Sequence, residues 1–149
     1  AFMQGEGVYS TDNVILSRTE GRITGLLLSY PAEARSVPPL LKTFVTEKRL
    51  AAIRPVLEQA EPKSWYINTL WVEGGLENNI HADALLLEAR SRSQQTGCTS
   101  LSVFCWKDNT AAHAFYARHK FTEGRTFSPE LLPLEGHSQG GVLLVAPVA

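Results

Sequence analysis

The chain has 149 residues, of which 44% are hydrophobic and 19% charged, the mix of one folded domain rather than a disordered segment. Lys and Arg number 14 against 15 Asp and Glu, for a net charge of -1, so no field of one sign is available to drive strong nucleic-acid binding. No apolar run reaches the roughly 18 residues of a membrane span.

Two β-rich runs, Asn13 to Arg18 and Ile23 to Tyr30, flank Thr19-Glu20-Gly21-Arg22 and predict a hairpin. In the first run Val14 and Leu16 alternate with Ile15 and Ser17. In the second, Leu26-Leu27-Leu28 is continuously apolar, as in a strand covered on both faces. Pro31 to Pro39 reads as a loop. Leu40 to Ala60 reads as helix in two pieces, broken near Ile53-Arg54 because Pro55 lacks an N–H and clashes with the preceding turn. Ser64 to Val72 is the next strand, with Trp65, Ile67, Thr69 and Trp71 on one side and Tyr66, Asn68, Leu70 and Val72 on the other. After a loop over Glu73 to Asn79, Ile80 to Thr96 is helical. Its inner stripe is Ala82, Leu85, Leu86, Ala89 and Ser93, and Gly97 terminates it. Ser100 to Trp106 is a strand. The Lys107-Asp108-Asn109 turn caps a helix over Thr110 to His119, with Ala112, Phe115, Tyr116 and His119 facing inward. Short strands at Phe121 to Arg125 and Gly140 to Val145 flank a loop over Ser128 to Gln139; Gly140-Gly141 reads as turn punctuation. The order β-β-α-β-α-β-α-β-β predicts one α/β (α+β) domain over residues 1–149, built on a mixed sheet.

Cys98 and Cys105 lack zinc-site spacing and read as small buried residues of a reducing compartment. Residues Ala1 to Ser10 have neither the basic start nor the apolar core of a signal peptide. A cytoplasmic protein with no metal, no nucleic acid and no membrane partner is therefore expected. His137-Ser138 has no Gly-x-Ser-x-Gly around it, and no Walker or dinucleotide glycine motif is present. Trp65, Trp71 and Trp106 are candidates to line a hydrophobic substrate pocket, with two of the three expected to serve core or edge packing instead.

The segment Ser64 to Phe121 carries the chemistry. A strand that feeds a loop and then a helix N-terminus converges unpaired N–H groups and a helix dipole, the makings of an anion site. A second strand beside the first, Ser100 to Trp106, would run parallel to it after the crossover. If the two splay, a slot opens that takes an extended ligand.

This block resembles the core of the GNAT superfamily of acetyl-CoA-dependent N-acetyltransferases. The family strand Y-x-x-x-L-x-V is matched by Tyr66, Leu70 and Val72. The pyrophosphate loop [QR]-x-x-G-x-[GA] falls on Glu77-Asn78-Asn79-Ile80-His81-Ala82. The second signature, L-x-V-x-x-x-N-x-x-A-x-x-x-Y-x-x-x-G-F, is matched by Leu101, Val103, Asn109, Ala112, Tyr116 and Phe121, with two residues of slack after the strand. The resemblance implies that acetyl-CoA is a co-substrate. Its pantetheine would pair with the backbone of Leu70, Trp71 and Val72, and its pyrophosphate would sit on the backbone of Asn78, Asn79, Ile80, His81, Ala82 and Asp83. It also implies Tyr116 as the general acid toward the leaving thiolate, and Asn109 as a contact to pantetheine or an ordered water. The expected activity is acetyl transfer to an amine of a small molecule or protein.

The chain departs from that pattern at the phosphate loop. Glu77 stands where the family has a basic or amide residue, and Ile80 where it has Gly. A shifted reading places Gly74 and Gly75 in the flexible part. Lys120 replaces the Gly before Phe121. The alternative these departures motivate is a binding or regulatory module with an impaired CoA site. Glu73, His81 and His113 are the candidate general bases, beside water itself. The family usually carries a strand and helices before the hairpin, where only about a dozen residues stand here. An edge left bare by that shortfall predicts a homodimer.

Overall fold

The computed structural model describes residues 11–34, 46–48, 51, 63–128 and 139–148. After a 3-10 turn at Thr11–Asn13 come β1 (Val14–Thr19) and β2 (Arg22–Pro31), then a second such turn at Ala32–Ala34. β3 (Ser64–Val72), α1 (Ile80–Gln95), β4 (Ser100–Trp106), α2 (Thr110–Arg118), β5 (Thr122–Phe127) and β6 (Gly141–Pro147) follow. The predicted two-piece helix and its break at Ile53-Arg54 lie outside the described residues, apart from Glu47, Lys48 and Ala51, which are helical.

The strands form one six-stranded sheet in the order β1-β2-β3-β4-β6-β5. β3 and β4 are parallel, joined by α1 as the crossover, and every other pair is antiparallel. The β1–β2 hairpin turns through Glu20 and Gly21 at φ 53° and 77°, the two left-handed positions of a type I′ turn.

Both described helices pack on one face of the sheet. The α1 stripe of Ala82, Leu85, Leu86, Ala89 and Ser93 is buried, together with Ala112, Phe115 and Tyr116 of α2. They meet Leu27, Trp65, Ile67, Leu101 and Val103 of the strands in one cluster. A fully buried side chain such as Leu86 or Phe115 contributes about 1.5–3 kcal/mol. The other face carries a second cluster, with Leu28, Tyr30, Tyr66, Phe127 and Leu143. The continuous Leu26-Leu27-Leu28 run is thus covered on both sides, as expected.

One strand alternates differently from the sequence expectation. In the β2–β3 pairing Leu28 faces Thr69 and the next residue, Ser29, faces Ile67, so Asn68 is an extra residue on β3. This bulge shifts the phase by one. Leu70 and Val72 join Trp65 and Ile67 against the helices, and half-exposed Trp71 leaves the side predicted for it.

Caps fix the helix ends. The Asn79 side chain accepts from the N–H of His81 and Ala82 at 2.9 and 3.3 Å, and that of Asn109 from Ala112 N–H at 3.2 Å. At the far end of α1, Cys98 N–H reaches Ser93 C=O at 2.9 Å and Gly97 N–H reaches Gln94 C=O at 3.2 Å, around a Gly97 at φ 77°.

Candidate active site

The site begins where β3 and β4 part. They pair from Ser64–Ser100 to Ile67–Val103 and no further. A buried 2.8 Å hydrogen bond between the hydroxyls of Ser64 and Ser102 joins the closed end. Beyond Ile67 the bulge at Asn68 bends β3, and the edge of residues 68–72 toward β4 has no strand partner. The gap is a cavity of about 360 Å³. Asn68, Thr69 and Leu70 form one wall, Val103 to Trp106 the other, with Leu76, Asn109, Ala112 and Tyr116 closing it. Asn68 is itself held, its Nδ2 donating to the Tyr30 hydroxyl at 3.0 Å and its Oδ1 accepting from Thr69 Oγ1 at 2.8 Å.

Tyr116 is packed edge-on between Phe115 and Phe121, with ring centroids 5.1 and 5.0 Å away. Among the described residues nothing hydrogen-bonds its hydroxyl. Burial, with smaller contributions from Cys105 and Tyr66, pushes that hydroxyl well above the usual phenol range. Cys105 lies on the opposite wall. Burial, and secondarily the Asp108 charge, pushes its thiol up to about 11. Both groups are therefore protonated near neutral pH: Tyr116 is a donor, and Cys105 is not a nucleophile.

A second cavity of about 420 Å³ adjoins the first and shares Leu76 with it. Glu77 and Asn78 of the loop line one side, and Thr110, Ala111, Ala114, Phe115 and Arg118 of α2 the other. Asn79, besides capping α1, donates from Nδ2 to the carbonyls of Glu73 and Gly75, both at 2.9 Å, which folds the loop back on β3.

A family model for the acetyltransferase (GNAT) family matches residues 18–121, which is more than half of the chain. The chain belongs to the GNAT acetyltransferase family. No curated protein matches it at a significant level. Among solved structures, it superposes on one described as an acetyltransferase with a TM-score of 0.64 and 19% identity, covering 96% of this chain and 74% of that one. An N-acetyltransferase from Staphylococcus aureus Mu50 gives 0.62 and 17%, over 94% of this chain and 73% of that one. The PaiA N-acetyltransferase from Thermoplasma acidophilum, solved in complex with coenzyme A, gives 0.54 and 9%, over 91% and 61%. At these identities the likeness is one of fold.

On this GNAT fold the residues singled out from the sequence divide into groups. Leu70, Asn109 and Tyr116 come together around the cleft. Val72 is buried in the core and Trp71 is half-exposed, so only their backbone is offered to the open edge. Asn78 lines the second cavity, and Asn79 caps α1. Ile80 is 76% exposed and does not plug the site. Ala82 is buried. His81 turns to β1, with Nδ1 3.1 Å from Ser17 Oγ. Asp83 accepts from His119 Nε2 at 2.8 Å. The candidate bases lie off the cleft: besides His81, Glu73 pairs with Arg22 at 3.1 Å, and His113 Nε2 donates to Trp106 C=O at 3.1 Å. Among the described residues no carboxylate or imidazole lines the cleft.

Asn68, Cys105 and Arg118 were not foreseen. Arg118 carried a signal, since it lies three residues beyond the inward-facing Phe115 on the same helix face.

Proposed function

We propose that this protein is an acyl-CoA-dependent N-acetyltransferase, transferring the acetyl group of acetyl-CoA to an amine of a small molecule or protein. The observation that carries the reading is the uncommitted hydroxyl of buried Tyr116, at a cleft opened by the splay of β3 from β4. The residues fit the cofactor. The unpaired edge of β3 offers peptide groups to an extended pantetheine chain, as an added strand would use them. Leu70, Val103 and Ala112 give the cleft an apolar stretch, and Asn68, Thr69 and Asn109 add polar groups to its lining.

A bound acyl thioester supplies an activated carbonyl and a thiolate leaving group. Open-edge N–H groups of β3 are the donors for charge developing on the carbonyl oxygen. Tyr116 holds a proton at its hydroxyl and donates it to the departing sulfur. Among the described residues no carboxylate or imidazole lines the cleft, and the attacking amine gives up its proton to water.

The test is Tyr116→Phe, assayed by thiol release and by calorimetric titration with CoA. We expect turnover to fall by about 10²-fold or more with CoA affinity unchanged. An unaltered rate dismisses the proposed acid. Wild-type protein that takes up no CoA leaves the fold without this activity.

A further inference from the structure

We propose that the acceptor is a small aromatic primary amine, its ring laid against Phe104 and Trp106 and its nitrogen directed at Asn68. The inference rests on the acetyltransferase reading above and names the substrate class of that same site.

The cleft is lined from both faces of the sheet, and the two sides differ in chemistry. Toward the helices stand Val103, Cys105, Ala112 and Tyr116, all members of the helix-side cluster. Toward the other face stand Asn68, Thr69, Phe104 and Trp106. Thr69 pairs with Leu28, the Asn68 amide reaches the Tyr30 hydroxyl, and Phe104 packs against the cluster that holds Leu28 and Tyr30. Trp106 follows Phe104 by two strand positions and so points the same way.

The aromatic side of this half is held in place. The Phe104 ring meets Trp106 edge to face at 5.3 Å and Phe127 at 5.9 Å. It also fills the space that Gly141 leaves on the neighbouring strand, where a Cβ would stand 2.2 Å from the ring. Core aromatics such as Tyr30 and Phe115 are buried, whereas Phe104 and Trp106 are only partly so and border the cavity. Two fixed rings on a cavity wall favour a third ring over an alkyl chain, which lacks the ring–ring attraction and loses more rotamer freedom on binding. The facing side is polar and neutral. Asn68 Oδ1 accepts from Thr69 Oγ1 with one lone pair and has a second for an amine N–H. Among the described residues no charged side chain lines the cleft, so nothing there would pair with the second charge of a polyamine. The cavity, about 360 Å³, must also take the acyl end of the thioester, which leaves room for one ring on a short linker. As the amine nitrogen bonds to the thioester carbonyl, the C–S bond breaks. The sulfur takes the Tyr116 proton, the amine proton leaves to water, and Tyr116 is reprotonated from water.

The experiment follows thiol release from acetyl-CoA by the full chain, with 2-phenylethylamine, n-hexylamine and spermidine as acceptors. We expect kcat/KM to be about tenfold higher, or more, for 2-phenylethylamine than for the other two. Phe104→Leu and Trp106→Leu each raise the KM for 2-phenylethylamine about fivefold and change kcat and CoA affinity little. Gly141→Ala, which displaces the Phe104 ring, moves the same KM in the same direction. Should these variants not fold, the wild type decides. 2-Phenylethanol, which lacks the amine, competes with the acceptor at a concentration about tenfold below that needed for 1-hexanol. The proposal is overturned if n-hexylamine or spermidine is used as well as 2-phenylethylamine, if the variants keep the wild-type preference, or if the two alcohols inhibit alike. Protein that binds CoA but acetylates none of the three amines overturns it too. Protein that takes up no CoA removes the acetyltransferase reading itself, a result distinct from all of these.

Discussion

Lys120 sits at φ 70°, in the left-handed region where a side chain with a Cβ is strained. The strain is local and identifiable. Phe121 N–H reaches Tyr116 C=O at 3.0 Å and Lys120 N–H reaches Ala117 C=O at 3.1 Å, the paired bonds that close a helix through a left-handed residue. The Tyr116–Phe121 ring contact at 5.0 Å is the apolar clasp of the same motif. Gly97 ends α1 with the same geometry at no such cost. Lys120→Gly is therefore expected to stabilise the protein by about 1 kcal/mol, read as a higher urea midpoint at unchanged slope. Equal or lower stability would mean that the ammonium makes up the difference. Gly141 shows the opposite case. Read from the sequence as turn punctuation, it is a strand residue whose missing Cβ makes room for the Phe104 ring, 2.2 Å from where that carbon would stand. Phe104 in turn forms part of the cleft wall.

At the level of elements, the cleft follows from one inserted residue. Trp65 and Ile67 lie against the helices, and so do Leu70 and Val72, which are out of phase with them by the width of the Asn68 bulge. Deleting Asn68 would put all four on one face of a regular strand, since Leu28–Thr69 and Ser29–Ile67 would become consecutive pairs. The expected outcome is a folded protein with a melting temperature within a few degrees of wild type that binds CoA at least tenfold more weakly, because β3 could then continue its pairing with β4. Undiminished CoA binding by this variant would show that the bulge does not make the slot. The example also shows what a sequence can and cannot disclose. The bounds of β3 were legible, because an aromatic and β-branched run stands between Pro62-Lys63 and Gly74-Gly75. The bulge was not, because Asn68 becomes extra only in relation to β2. Asn109 and Tyr116 were legible because cap and inward face follow from helix spacing. The engagement of His81 with Ser17, 64 positions away, and the cavity shared by Glu77 and Arg118 depend on how α1 and α2 settle on the sheet.

Over the whole molecule, burying the cleft's ionisable groups sets a limit on alkaline stability. Cys105 titrates at about 11 in the folded protein against 9.0 as an ordinary thiol, and Tyr116 is shifted in the same direction from 10.0. Through this range the folded state binds more protons than the unfolded one, so stability falls as pH rises. For Cys105 the contribution is complete below its unfolded value and is lost as pH climbs through 11. Tyr116 begins to lose its share about one unit higher and continues beyond it. The two are coupled, since a charge on Cys105 is among the causes of the Tyr116 shift, so their effects should not add. Urea unfolding at about pH 8 and about pH 10.5 is the measurement. The wild type should lose stability between these conditions, Cys105→Ala should lose less, and Cys105→Ala combined with Tyr116→Phe least of all. An identical loss in the double variant would place the alkaline liability elsewhere, in exposed side chains rather than in the walls of the cleft. Burial extends the pH range over which the thiol and the phenol that line the slot stay neutral, so both keep their protons well into the alkaline range.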